Sequence, residues 1–272
     1  MKSKLAVSKA LYLKPLLVGL DKPDSPFEVF YDFPALNAIK LSKRSENVRN
    51  AFLSPIDYAK YGGEYCIVPE ICVSSYQSRN TIELIIRSDV SNIENVGIDV
   101  RYTSEIILAN IILKEKYKSL QQHEKLQFVP IKKSLDLLLQ EVDAVLVVND
   151  VPRFIEEPGV FRLDLVEEWT DMTDLPYVFG FWVGRENETL ESELQALKKA
   201  KQEWLNSKQS IIQKIANESN MDYEAVDNYL TEFSYDFGES QKESISEFFY
   251  YAYCYGIIGD IPDIRFFTIS DT

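Results

Sequence analysis

The chain has 272 residues, 46% hydrophobic and 26% charged, a composition that supports one large domain or two ordinary lobes and argues against wholesale disorder. Its formal charge of -14 repels phosphate backbones and anionic membranes, so no nucleic acid and no membrane partner is expected. A small anion stays compatible, because a ring of main-chain N–H groups holds carboxylates even inside an acidic protein.

The basic, apolar start MKSKLAVSKALYLKPLLVGL makes a weak secretory signal. Lys9 and Lys14 interrupt its apolar run, and no small-residue cleavage site follows. No run elsewhere is long enough to span a bilayer, so a cytoplasmic protein is expected. KLAVSKA predicts a strand that gives way to a helix with Pro15 in its first turn. FEVFYDF alternates as a strand does and closes at Pro34, and ALNAIKLSKRSENVRNA follows with helical spacing. AFLSP predicts a short buried strand ending in a turn, and IDYAKYGG a brief helix stopped by two glycines. YCIVPEICVSS and TIELIIRS are β-rich.

NVGIDV predicts a strand leading into TSEIILANIILKEKY, an amphipathic helix opened by Thr103 and Ser104. QFVPI, SLDLLLQEV and DAVLVVND read as strand, helix and strand; Asp164 to Thr173 reads as a helix around Trp169, and YVFGFWVGR as a continuous apolar strand. The adjacent Glu167 and Glu168 point to different sides of their helix, which reads as a solvated face. This alternation implies a mostly parallel sheet with covered faces. After Arg185, ESELQALKKAKQEWLNSKQSIIQKIANES predicts one long polar helix with a thin apolar stripe. NMDYEAVDNYLTEFSYDF and ISEFFYYAYCYGII add further helices. QKIANESNMDYEAVDNYL has the outline of a DNA-binding helical hairpin, but Glu218, Asp222, Glu224 and Asp227 oppose DNA, and a plain hairpin accounts for it better. The expected organisation is α/β and two-lobed, with lobe 1 at 1–90, lobe 2 at 91–187 and C-terminal helices at 188–272 packing back on lobe 1.

Few residues carry an obvious chemistry. The single histidine, His123, sits in the polar run KSLQQHEKLQ, which removes most hydrolase triads and zinc sites. Cys66, Cys72 and Cys254 are odd in number, lack metal-like spacing and read as buried structural thiols in a reducing compartment. GxGxxG, P-loop, HExxH, paired CxxC and GxSxG motifs are missing. In open α/β folds ligands bind beyond the carboxyl ends of strands, and four such ends carry small polar residues: Ser54, Ser74 with Ser75, Thr103 with Ser104, and Asn149 with Asp150. Thr103 and Ser104 are the best placed, since hydroxyls at a helix start lie beside N–H groups whose dipole favours an anion. Ordinary N-capping also accounts for either residue, and a turn accounts for Asp150. The residues alone lead to a two-lobed anion binder.

DAVLVVND, followed by LDLVEEWTDMTDLPYVFGFWVGR, resembles the menaquinone biosynthesis family that includes chorismate dehydratase. There a DA-x-L-x-I-G-D strand precedes a DL-x-x-EW-x-x-x-TGLPFVFA-x-W-x-x-R block. Asp164, Leu165, Glu168, Trp169, Thr173, Leu175, Pro176, Val178, Phe179, Trp182 and Arg185 all match. PLLVGL, FPALNAIKL, AFLSPIDYAKY, IDVRYTSEIIL and YLTEFSYDFGES are similar to further family segments, so the likeness spans the whole chain. The resemblance implies a periplasmic-binding-protein-like fold of the second type, with mixed or parallel sheets, working as a hydro-lyase without metal or redox cofactor. The implied reaction converts chorismate, the small anionic substrate, to 3-[(1-carboxyvinyl)oxy]benzoate and water on the futalosine route to menaquinone. A sister lyase that cleaves cyclic dehypoxanthine futalosine shares the fold. Its block reads TGLPLPLG, and VFGFW here favours the dehydratase.

Carried over by position, the resemblance makes Thr103 and Ser104 carboxylate binders and Thr81 a second hydroxyl donor. Ser54 falls in the turn that matches a proline–serine pair, and Asn149 and Asp150 fall on a glycine–aspartate pair. The chain also departs from the pattern. Tyr12 stands at a cleft asparagine, Asn149 and Asp174 at glycines, and Tyr102 at the arginine of the anion loop, with Arg101 just before it. These departures keep a non-catalytic binder of a small carboxylated metabolite open as an alternative. With no histidine suitably placed, the substrate's own enolpyruvyl carboxylate is the candidate base.

Overall fold

The computed structural model describes residues 2–43, 47–61, 64–77, 80–117, 126–131, 139–149 and 159–268. His123, Asp150 and the start of SLDLLLQEV lie outside the described residues. The strands are β1 (Ser3–Val7), β2 (Phe27–Tyr31), β3 (Val48–Leu53), β4 (Tyr65–Ser75), β5 (Ile82–Arg87), β6 (Asn95–Ile98), β7 (Gln127–Pro130), β8 (Ala144–Val148), β9 (Val160–Asp164) and β10 (Tyr177–Arg185). The helices are α1 (Pro34–Ser42), α2 (Pro55–Tyr61), α3 (Thr103–Glu115), α4 (Leu165–Thr173), α5 (Glu191–Asn206), α6 (Lys208–Ser219), α7 (Tyr223–Leu230) and α8 (Glu239–Cys254). Among the described residues no helix is long and apolar enough to cross a membrane.

The chain divides into two units, residues 1–75 with 178–272, and residues 76–177. The divisions therefore fall earlier than residues 90 and 187. Apolar runs mark a strand without telling which sheet it joins, and β5 enters the sheet of the second unit while β10 enters that of the first.

In the first unit the strand order is β2-β1-β3-β10-β4. β1 runs parallel to β2 and β3, as the alternation implies, but β10 is antiparallel to β3, so the sheet is mixed. Leu5, Ala6, Val7, Ala51, Leu53, Phe181 and Trp182 form its buried layer. Where β10 crosses β3, a Cβ on Gly180 would stand 2.5 Å from the Leu53 carbonyl oxygen, so only glycine fits. The chain between β1 and β2 forms a 3-10 helix, Leu11–Leu17, with Pro15 inside it instead of opening an α-helix. The long polar segment also breaks: Ser207 leaves helical geometry (φ -136°, ψ 29°), separating α5 from α6 and letting both Trp204 and Ile211 turn inward. A serine that competes for backbone hydrogen bonds is a natural place for that break. Glu193 ties α5 to the sheet, because its buried carboxylate accepts from Ser3 Oγ (2.5 Å), Asn50 Nδ2 (3.2 Å) and Leu190 N (2.9 Å). The outer strand β4 is covered by other parts of the chain, through Ile67 N to Arg265 O (2.7 Å) and Ser234 N to Ser74 O (2.8 Å).

In the second unit the order is β7-β6-β8-β5-β9, with β6 parallel to β7 and β8, and β5 antiparallel to β8 and β9. α3 buries Leu108, Ile111 and Ile112, and α4 buries Trp169. Glu168 does not belong to a solvated face. Its carboxylate meets Lys116 at the end of α3 and is largely buried, which joins α3 to α4.

Candidate functional site

Register places several polar residues on one edge of the second unit's sheet. β5 begins beside the end of β8 (Ile82 with Val148) and beside the end of β9 (Glu83 with Asp164). β6 runs in the same direction as β8, with Val96 paired to Ala144, so its carboxyl end and the loop into α3 lie at that edge too. Thr81, Asn149, Asp164 and the start of α3 are thereby gathered from segments far apart in sequence.

α3 begins at Thr103, and Tyr102 occupies its N-cap position (φ -101°, ψ 67°), where its side chain makes no capping hydrogen bond. Thr103 and Ser104 therefore sit in the first turn and do not cap it, so the capping account of these hydroxyls is not realised. Ser104 is 1% exposed and accepts a long hydrogen bond from the Tyr177 hydroxyl (3.4 Å). The helix dipole puts partial positive charge at this end. The same turn contains the buried Glu105, a carboxylate that an incoming anion has to coexist with. Arg101 is turned to its own loop: Nε donates to both oxygens of Asp99 (2.8 and 2.9 Å), and the guanidinium beside it holds the Asp99 carboxyl below its ordinary range.

Thr81 is 1% exposed, and its Oγ1 has no hydrogen-bond partner among the described residues. Its carbonyl accepts from Asn149 N (2.9 Å), and the preceding Asn80 carbonyl accepts from Asn149 Nδ2 (2.5 Å). Asn149 thus spends a side-chain donor within the protein. Asn80 N donates in turn to Asp164 Oδ2 (3.2 Å), while Asp164 Oδ1 caps α4 by accepting from Val166 N (2.9 Å) and Glu167 N (3.2 Å). Burial pushes the Asp164 carboxyl up to about 7, against the pull of these N–H donors. Asp164 stands in the matched sequence block without a site role being assigned to it. The available signal was its place immediately before the helical LVEEW, which marks an N-cap.

The remaining expected residues belong to the first unit or lie outside the described residues. Ser54 Oγ donates to Asp57 Oδ2 (2.7 Å) and accepts from Asp57 N (3.3 Å), a reciprocal arrangement at the start of α2. Tyr12 packs its ring 5.0 Å from that of Phe179 and 5.3 Å from that of Phe233. Ser75 Oγ donates to Glu232 O (2.6 Å), and Ser74 Oγ accepts from Gln241 Nε2 (3.3 Å), so both are used within the fold. Asp150 lies outside the described residues. Cys66 and Cys72 are buried, with the Cys72 thiol pushed up to about 12 by burial, but Cys254 is exposed near the end of α8. Among the described residues no three His, Cys, Asp or Glu side chains gather as metal ligands would. A surface groove of the first unit is lined by Lys14, Lys214 and Glu218, whose charges pair with one another.

The sequence pattern of the menaquinone biosynthesis family matches residues 4–254. Chorismate dehydratase from Thermus thermophilus is 23% identical over 241 residues, covering 82% of this chain and 85% of that protein. Among solved structures, protein AF1704 from Archaeoglobus fulgidus superposes with a TM-score of 0.71 at 16% identity, covering 94% of this chain and 98% of that one. The periplasmic aliphatic sulphonate binding protein SsuA from Escherichia coli superposes with a TM-score of 0.61 at 12% identity, covering 100% and 93%. The fold is thus of the periplasmic-binding-protein kind.

Proposed function

The chain belongs to the menaquinone biosynthesis family, and from that premise we propose that it is a chorismate dehydratase of the futalosine route, a carbon–oxygen lyase. The observation that carries this reading is the start of α3. Thr103 and Ser104 open a helix whose N-cap residue, Tyr102, makes no side-chain capping bond, on the same sheet edge as a Thr81 hydroxyl that has no hydrogen-bond partner among the described residues. Such an end suits a carboxylate, and chorismate has two. The likeness to a Thermus thermophilus protein of that name supports the choice of substrate.

In the proposed reaction a ring proton and the ring hydroxyl leave as water, and the ring becomes aromatic in 3-[(1-carboxyvinyl)oxy]benzoate. Aromatisation makes the step downhill, so the protein supplies orientation, charge stabilisation and exclusion of bulk water. Thr103, Ser104 and the α3 dipole hold one carboxylate, and Thr81 donates a hydrogen bond to the same ligand. The substrate's enolpyruvyl carboxylate takes the proton. A chorismate analogue without that carboxylate should bind yet resist dehydration; dehydration at the normal rate would exclude this base. The free cysteines fit a reducing compartment, and we place the enzyme in the cytoplasm.

A second reading rests on Tyr12, whose aromatic ring packs against Phe179 and Phe233 where the resembling family has asparagine. A protein altered there would bind a carboxylated metabolite without turning it over. Incubation of the pure protein with chorismate separates the two. The aromatic product supports the dehydratase, binding without product supports the second reading, and cleavage of cyclic dehypoxanthine futalosine instead would reassign the chain to the sister lyase.

A further inference from the structure

Asn149 replaces a glycine of the resembling family pattern, and its side chain holds the segment that carries Thr81. Asn80 adopts a left-handed backbone (φ +63°), a conformation uncommon for residues with a Cβ and held only where the surroundings determine it. It is gripped at both ends of its peptide: its N–H donates to Asp164 Oδ2 (3.2 Å), and its carbonyl accepts from Asn149 Nδ2 (2.5 Å). The next residue, Thr81, gives its carbonyl to Asn149 N (2.9 Å) and keeps a buried Oγ1 without a partner among the described residues. A single asparagine therefore grips two consecutive peptide units just before β5. A glycine at 149 retains the backbone bond to Thr81 and loses the side-chain bond to Asn80.

We infer that Asn149 is a positioning residue, whose side-chain amide fixes the left-handed Asn80 and so sets the direction of the Thr81 hydroxyl toward the ligand. This rests on the proposed reading of that sheet edge as a carboxylate site. Asn149 then acts through Thr81 and makes no ligand contact of its own, a different role from the substrate binding expected from its position in sequence. The network is local to the second unit, with Asp164 as its other anchor.

The test is a double-mutant cycle read by affinity for the product, 3-[(1-carboxyvinyl)oxy]benzoate, and by amide hydrogen exchange. Asn149→Ala should weaken binding of this product several-fold and Thr81→Val about tenfold, and the double variant should bind no worse than Thr81→Val alone. Asn149→Asp, which keeps the volume and removes the donor, should match or exceed the loss in Asn149→Ala. Exchange of the Asn80 amide should accelerate in both Asn149 variants, with or without ligand. Losses that add in the double variant, or unchanged exchange at Asn80, overturn the positioning role. Should wild type neither convert chorismate nor bind the product, the functional reading fails separately, and the exchange arm alone decides whether Asn149 clamps Asn80.

Discussion

The Thr81 hydroxyl is buried without a hydrogen-bond partner among the described residues, a cost that makes stability and binding separable by one substitution. Thr81→Val keeps the shape and removes the orphaned donor. Its unliganded stability should hold or rise by about 1 kcal/mol in denaturant unfolding, while affinity for 3-[(1-carboxyvinyl)oxy]benzoate falls about tenfold in calorimetry. A loss of both together would make Thr81 a packing residue only. Asp164 gives a prediction in pH. Its carboxyl is raised to about 7, above its unfolded range near 4, so the folded form binds the proton more tightly. The stability this contributes is complete below about pH 4 and is lost as pH rises through about 7. Between about pH 5 and pH 8 the wild type should therefore lose more stability than Asp164→Asn; parallel stability curves would contradict the raised value. The N-cap place of Asp164 is legible from the LVEEW that follows it, whereas the burial of that cap and of the Thr81 hydroxyl is a property of what surrounds them.

Elements were more legible than residue roles, and the reason differs from case to case. α3 spans Thr103–Glu115 within the TSEIILANIILKEKY segment, and β10 coincides with YVFGFWVGR, buried along its whole length as a continuous apolar run implies. The short β9 escaped notice: an edge strand with no fully buried residue, and with Phe161 mostly exposed, has no alternating pattern to read. The break at Ser207 was equally hidden, since α5 and α6 share one apolar stripe in sequence and part only when both pack. Strand direction is a sheet property, and so the antiparallel entry of β10 was not visible either. At its crossing with β3, Gly180→Ala should cost about 1–3 kcal/mol in unfolding free energy, because the added Cβ meets the Leu53 carbonyl oxygen as well as the Phe52 ring, and a strand carbonyl cannot swing aside. A cost within error would mean that the strands separate readily there. Ser54 bonds Asp57 at the start of α2, and Ser54→Ala should lower stability by about 1 kcal/mol; an unchanged midpoint would show the Asp57 arrangement to be idle.

For the whole molecule, the family and the α/β fold follow from residues 4–254, whereas the chemistry depends on a few positions where the chain departs from the family pattern. A formal charge of -14 sets a background unfavourable to any anion, so the proposed function assigns recognition to local dipoles and donors, chiefly the first turn of α3. The resemblance already pointed to Thr81, Thr103, Ser104 and Asn149. What the fold adds is their common edge, created by the antiparallel return of β5 beside β8. A crystal structure of the protein with 3-[(1-carboxyvinyl)oxy]benzoate bound puts this to the most direct test. One ligand carboxylate should lie within hydrogen-bond distance of the Thr103 and Ser104 main-chain N–H groups, with Thr81 Oγ1 donating to the same molecule. A ligand seated away from the start of α3, with Thr81 still partnerless, would contradict it.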